Sequence, residues 1–326
     1  MGGMRAQRLG DGLTVSAVGL GCMGFSQGYG AADDAESATA IRDAVAAGIT
    51  VFDTAMSYGR GHNERLVGQA LAGTDALVAT KFGIVRTEAG VGLDGRPEHV
   101  RGYCEESLAR LGREVIDLYY LHRIDPAVPV AETVGAMAEL VRAGKVRHLG
   151  ISEATPQQLR DAVAEHPIAA VQFEWSMLWR APERDIVPVA RELGVGIVPY
   201  SPLGRGLLTA TLNSATVADS DFRRNDPRFQ GQHLDENLAQ VSALRELAAR
   251  LGISAGQLAL AWLLAQGSDV MPIPGSRHSA RILENAAAAA VELSAEDLVE
   301  LDKLVPPEAW SGDRTSFAAP STTRNA

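Results

Sequence analysis

Eight short apolar segments, most of them followed by a stretch with helical spacing, predict a (β/α)8 TIM barrel. Two further observations point the same way. Polar and titratable residues recur at the C-terminal ends of those segments, where such barrels carry their chemistry. Ahead of the first segment, Arg5 to Leu9, Asp11-Gly12 and Leu13 to Val18 read as strand, tight turn and strand. That is an N-terminal β-hairpin suited to capping the barrel bottom.

The staves are expected at a segment ending near Gly21, then at residues 50–53, 77–81, 116–122, 146–152, 170–174, 195–200 and 270–274. Helical spacing runs over 34–48, 62–73, 97–111, 130–143, 156–165, 182–193, 236–251 with 254–266, 279–290 and 294–304. The first stave leads into Gly19-Leu20-Gly21-Cys22-Met23-Gly24, which contains G-x-G-x-x-G. A dinucleotide fingerprint needs a helix starting inside that motif. Phe25-Ser26-Gln27-Gly28-Tyr29-Gly30 follows instead, a loop by composition, and the Rossmann reading is set aside. The longest irregular stretch, 204–235, follows stave seven and is expected to be either functional or disordered. Residues 1–305 are read as one domain, and 306–326 as a tail, rich in Pro, Ser and Thr and expected to be loose.

At 326 residues, 46% hydrophobic and 21% charged, the chain can bury one large core. No apolar run approaches a membrane span and the first residues hold no apolar signal region, so no membrane partner is expected. Two cysteines, Cys22 and Cys104, are too few for a disulfide framework, which favours a reducing cytoplasm. A net charge of −10 argues against nucleic acid as a partner. No metal site is expected. Of 30 basic residues only three are lysines, Lys81, Lys145 and Lys303, so a lysine inside an apolar stave marks a site needing a compact ammonium.

Asp53 ends stave two, with Tyr58 five residues later; Lys81 ends stave three and His122 ends stave four. Together they would face one barrel mouth. An ordinary phenol, with a pKa near ~10, donates protons poorly at neutral pH. An ammonium about 4 Å away stabilises a phenolate by up to ~4 kcal/mol at an effective dielectric of about 20, enough to draw the phenol towards ~7. Asp53 would keep the lysine charged, and His122 would orient a carbonyl oxygen beside the phenol. Such a set suits protonating an oxygen while a carbonyl is reduced.

In these residues the chain resembles the aldo-keto reductases. The resemblance runs from Val18 to Asn285, on Phe52-Asp53-Thr54-Ala55 with Tyr58-Gly59, Ala79-Thr80-Lys81-Phe82-Gly83 and Tyr119-Tyr120-Leu121-His122. It continues through Gly150-Ile151-Ser152-Glu153, Val171-Gln172, Tyr200-Ser201-Pro202-Leu203-Gly204-Arg205-Gly206 and Ile273-Pro274-Gly275-Ser276-Arg277. It implies a (β/α)8 barrel, the catalytic residues Asp53, Tyr58, Lys81 and His122, and reduction of a small carbonyl substrate by NADPH, with NADH less favoured. Ser152 and Gln172 match the carboxamide contacts, and Tyr200 the aromatic on which nicotinamide stacks. Ser201, Pro202, Leu203 and Arg205 would wrap the pyrophosphate, with Arg205 supplying charge. Ser276, Arg277 and Arg281 would take the adenosine 2′-phosphate at a helix start, with Glu284 and Asn285 near the adenine. Two positions depart from the pattern: Glu153, where many relatives have Asn, and Gly275, where some branches carry a phosphate-binding lysine.

The leading expectation is reduction of an aldehyde or ketone, with Tyr58 as general acid. Met23, Phe25, Met56, Phe82 and Trp175 are read as apolar pocket walls. The alternatives are a nicotinamide-binding regulatory subunit with little turnover, like the potassium-channel β-subunits, and a Schiff-base aldolase built on Lys81.

Overall fold

The computed structural model describes residues 4–87, 90–212, 221–320 and 323. It opens with β1 (Ala6–Arg8) and β2 (Thr14–Ser16), paired antiparallel. Asp11 and Gly12 both take left-handed backbone, φ 53° and 73°, and the Leu13 N–H donates to the Gly10 carbonyl at 3.2 Å. That turn matches the twist of the strands it joins. Leu9, Leu13 and Val15 pack against Val51, Ala79 and Leu118 of the barrel interior, so the hairpin seals the lower end.

The wall follows in strand–helix units: β3 (Leu20–Gly21) with α1 (Asp34–Ala46), β4 (Val51–Asp53) with α2 (His62–Ala70), and β5 (Leu77–Phe82). A small antiparallel hairpin, β6 (Ile84–Thr87) and β7 (Gly90–Leu93), stands between β5 and α3 (Pro97–Leu111). Its sequence carried no reading. Then come β8 (Ile116–Leu121) with α4 (Val130–Arg142), β9 (Val146–Ser152) with α5 (Pro156–Glu165), and β10 (Ala170–Glu174) with α6 (Ile186–Glu192). Last are β11 (Gly196–Tyr200), α7 (Gly231–Arg250), α8 (Ala255–Ala265), α9 (Ser279–Ala287) and α10 (Ala295–Leu304). No single helix among the described residues is long and apolar enough to cross a membrane.

Seven parallel strands pair in the order β11-β10-β9-β8-β5-β4-β3. The expected eighth stave, 270–274, closes the ring by main-chain hydrogen bonds without becoming a regular strand. Met271 and Ile273 donate to the carbonyls of Ile197 and Pro199 at 2.9 and 3.0 Å. On its other side, the carbonyls of Pro272 and Pro274 accept from Gly19 and Gly21 at 3.0 and 3.2 Å. Proline has no N–H to return, so half of the ladder to β3 is missing.

Pleat parity sorts the side chains. Val51, Ala79, Leu118 and Val198 belong to the interior cluster, whereas Phe52, Val78, Tyr119 and Ile197 pack outwards under the helices. Residues two positions along from an interior residue face inwards too. Asp53, Lys81, His122 and Tyr200 inherit that direction.

Three expectations change. The 182–193 helix breaks at Asp185 (φ −132°), leaving a 3-10 turn, Ala181–Arg184, before α6. Helix α7 starts at Gly231 rather than 236, after short 3-10 turns at Phe222–Asn225 and Pro227–Phe229; residues 213–220 of that loop lie outside the described residues. The tail is not loose where described, since Trp310 and Arg314 are buried; residues 321, 322 and 324–326 lie outside the description.

Candidate active site

Strand β4 pairs with β5 so that Asp53 sits opposite Ala79 and Lys81 lies one pleat further towards the mouth. Both side chains are buried, and the Lys81 ammonium contacts a carboxylate oxygen of Asp53 directly. It also donates to the Thr54 carbonyl at 2.9 Å. The second Asp53 oxygen accepts from Gln172 Nε2 at 2.9 Å. After Asp53 the chain leans on the neighbouring stave: Thr54 N–H donates to the Ala79 carbonyl and Met56 N–H to the Lys81 carbonyl. That path delivers Tyr58 over the lysine, with Nζ 5.2 Å from its ring centre. Gly59, Arg60 and Gly61 then turn the chain into α2 through three left-handed residues (φ 56°, 55° and 81°). A Cβ on Gly59 would lie 2.9 Å from the Cβ of Ser26, so the turn needs glycine there. His122 follows β8 and meets the Tyr58 ring edge-on at 5.6 Å.

The electrostatics differ from the expectation in one respect. Burial pushes the Tyr58 phenol up, Lys81 pulls it down and Asp53 pushes it up again, and the result is a raised value. The expected shift towards neutrality is corrected: the ammonium is already neutralised by Asp53, and desolvation of a phenolate prevails. Burial pulls Lys81 down, but Asp53 and Tyr58 more than offset it, so the ammonium stays charged. His122 lies well below its ordinary value through burial and the charges of Arg123 and Lys81, and is neutral.

Ser152 and Gln172, both buried, and Tyr200, half-buried, stand on the same rim. Ser201 (φ 48°), Pro202 and Leu203 form the turn after Tyr200, with Gly204 N–H donating to the Ser201 carbonyl at 2.9 Å. After the eighth stave, next to β11, helix α9 is preceded by His278 with no side-chain cap, beside Ser276 and the half-buried Arg277, whose guanidinium donates to the Ala31 carbonyl. Arg281 pairs with Glu284 at 2.8 Å, and Asn285 is buried.

Arg205 stands apart. Its guanidinium is buried between Asp226 (2.8 Å), Glu174 (3.3 Å) and the Thr315 carbonyl (2.6 Å). A charge so engaged is not directed at a pyrophosphate, contrary to the expectation, and the Arg205 carbonyl accepts from Arg223 at 3.1 Å. Phe25, Phe82 and Trp175 are fully buried in the outer core and form no pocket wall, whereas Met23 and Met56 stay half-exposed.

Three residues of this region had no assigned role in the sequence. Arg123 donates to the His122 carbonyl (2.7 Å), Ser152 Oγ (3.1 Å) and the Phe317 carbonyl (2.8 Å). Arg228, fully buried, bonds Glu174 at 2.5 Å and Asp226 at 2.7 Å. Arg314 reaches Glu153 from the tail. Position beside His122 is the one signal in the sequence that marks Arg123.

The family model of the aldo/keto reductases matches residues 17–306. "Probable aldo-keto reductase 1" of Glycine max is 45% identical over 309 residues, spanning 93% of this chain and 89% of that protein. Among solved structures, a glycerol dehydrogenase from Gluconobacter oxydans superposes with a TM-score of 0.85 at 32% identity, covering 93% of this chain and 96% of that one. An aldo/keto reductase from Klebsiella pneumoniae, in complex with NADP and acetate, gives 0.72 at 28% identity over 93% and 96%. The barrel agrees with the fold of these solved structures, and the chain belongs to the aldo/keto reductase family of oxidoreductases.

Proposed function

We propose that this protein reduces an aldehyde or ketone to an alcohol with NADPH, Tyr58 giving the proton. The observation that carries the reading is the convergence of Tyr58, the charged Lys81–Asp53 pair and a neutral His122 at one rim. The residues present fit NADPH. Tyr200 offers a half-buried ring beside Ser152 and Gln172, and the uncapped start of α9 with Arg277 suits an anion such as the 2′-phosphate.

When bound, the cofactor supplies a hydride to the carbonyl carbon. The chain handles the oxygen. His122 Nδ1 is buried without a partner among the described residues. An unpaired bare nitrogen is less costly there than an unpaired N–H, which leaves the ring proton on Nε2, free to hydrogen-bond a carbonyl oxygen. Tyr58 holds its proton at neutral pH and releases it as negative charge builds on that oxygen. The Lys81 ammonium stabilises the resulting phenolate, and Asp53 keeps the ammonium in place. Reversed, the Tyr58 phenolate takes a proton from an alcohol.

A Schiff-base role for Lys81 conflicts with this environment, because an ammonium kept charged by Asp53 has no lone pair to attack a carbonyl. NADPH oxidation followed across a panel of aldehydes and ketones, repeated with NADH, tests the reading. Turnover with at least one carbonyl, faster with NADPH, is expected; NADPH binding without turnover on any of them favours a regulatory subunit instead.

A further inference from the structure

Glu153 follows the last residue of β9 in a left-handed conformation (φ 54°) and is 4% exposed. A buried carboxylate needs a partner of opposite charge or it destabilises the fold. The partner comes from 161 residues away. Arg314 forks onto both oxygens, Nη1 to Oε1 at 2.8 Å and Nη2 to Oε2 at 2.7 Å. Burial pushes the Glu153 carboxyl up, but Arg314, by hydrogen bond and by charge, holds it below the ordinary range.

The pair closes on Tyr200. Its hydroxyl donates to Glu153 Oε1 at 2.6 Å, accepts from Arg314 Nη1 at 3.2 Å and meets Ser316 Oγ at 3.2 Å. Three contacts at one phenolic oxygen fix the edge of a ring whose body stays half-exposed at the mouth.

The strap that brings Arg314 is itself anchored. Ser311 exchanges hydrogen bonds with Asn237 (2.8 and 3.0 Å), Trp310 is buried, and Gly312 passes so close to Arg228 that a Cβ would lie 3.0 Å from its backbone. Beyond Arg314, the Thr315 carbonyl accepts from Arg205, and Arg123 holds Ser316 Oγ and the Phe317 carbonyl.

We infer that Arg314 is a positioning residue for the cofactor: through Glu153 it locks Tyr200 as the nicotinamide platform, making the strap 311–317 a working part of the site. The inference rests on the NADPH reading above. Arg314 acts through Tyr200 rather than on the cofactor itself.

The test is a double-mutant cycle of Arg314→Met, Glu153→Gln and both together, read by NADPH affinity from tryptophan quenching and by the thermal midpoint without cofactor. Arg314→Met is expected to weaken NADPH about tenfold, the worth of ordering one side chain, with little change in carbonyl KM. The double variant is expected to recover to within about threefold of wild type, because a neutral amide needs no counter-charge and still accepts from Tyr200. Should Arg314→Met not fold, Arg314→Lys takes its place; a single ammonium cannot fork, and an intermediate affinity is expected. Arg314→Met with unchanged affinity, whatever its thermal midpoint, overturns the inference, as does a double variant no better than Arg314→Met. Wild-type protein that binds no NADPH removes the functional reading itself, and this inference with it.

Discussion

Two sets of buried charges face the same mouth from different sides, and they are built by different rules. On one side Asp53 and Lys81 come from adjacent staves, and their meeting follows from strand register alone. On the other, Glu153, Glu174 and Asp226 are balanced by Arg205, Arg228 and Arg314, drawn from two stave ends, the loop after β11 and the tail. The first set is a single ion pair, supported by the Thr54 carbonyl on the lysine and the Gln172 amide on the aspartate. The second is a network in which each carboxylate has more than one partner. Burial pushes Glu174 up, yet Arg228, Arg205 and Arg314 hold it at about 2. The lesson is that staves aim single reactive groups, whereas loops reach the barrel only by sharing charges among many.

The contrast can be broken most severely at Tyr58. Tyr58→Phe is expected to cut carbonyl turnover by about 10²–10⁴-fold while NADPH still binds, since one proton donor is lost and the walls are kept. Steady-state rates beside a binding titration decide this; undiminished turnover would remove Tyr58 from the mechanism. Lys81→Met leaves Asp53 buried without a cation, and urea unfolding should show a loss of about 3–5 kcal/mol. Arg228→Met should sit near the lower end of that range, about 3 kcal/mol, because Glu174 keeps Arg205 and Arg314 nearby. Equal losses would mean that sharing confers no protection.

A smaller effect is expected inside the barrel. Gly150 leaves room for Tyr120, whose Cε1 would lie 2.4 Å from an added Cβ, so Gly150→Ala should destabilise by about 1–3 kcal/mol. The mildest expectation concerns pH. The raised Tyr58 value keeps the phenol protonated through neutrality, so kcat/KM for carbonyl reduction should stay flat and fall only above about 10. Alcohol oxidation, which needs the phenolate, should rise over the same alkaline range. A neutral His122 should leave no inflection near its ordinary value of about 6.5. A reductive profile that falls between pH 6 and 8 contradicts one of these two assignments.

Much of this could be read in the chain. Asp53, Lys81, His122 and Tyr200 sit at stave ends with the interior parity, and parity is a local property of alternating residues. The eighth stave was legible from its apolar run, although Pro272 and Pro274 keep it from pairing fully. Arg205 was misread because a guanidinium in a loop carries no label saying whether phosphate or carboxylate will receive it. The phenol's raised value was missed for a related reason: the benefit from Lys81 was counted, while the depth of burial was not visible.

By itself, then, the sequence determined the staves, the hairpin and the inward aim of the reactive side chains, because these depend on spacing along short stretches of backbone. Tertiary structure alone decided which charges neutralise one another and how deeply they are buried, for those depend on contacts between residues as far apart as Glu153 and Arg314. Desolvation and Coulomb attraction act through space, and strand spacing has no record of either.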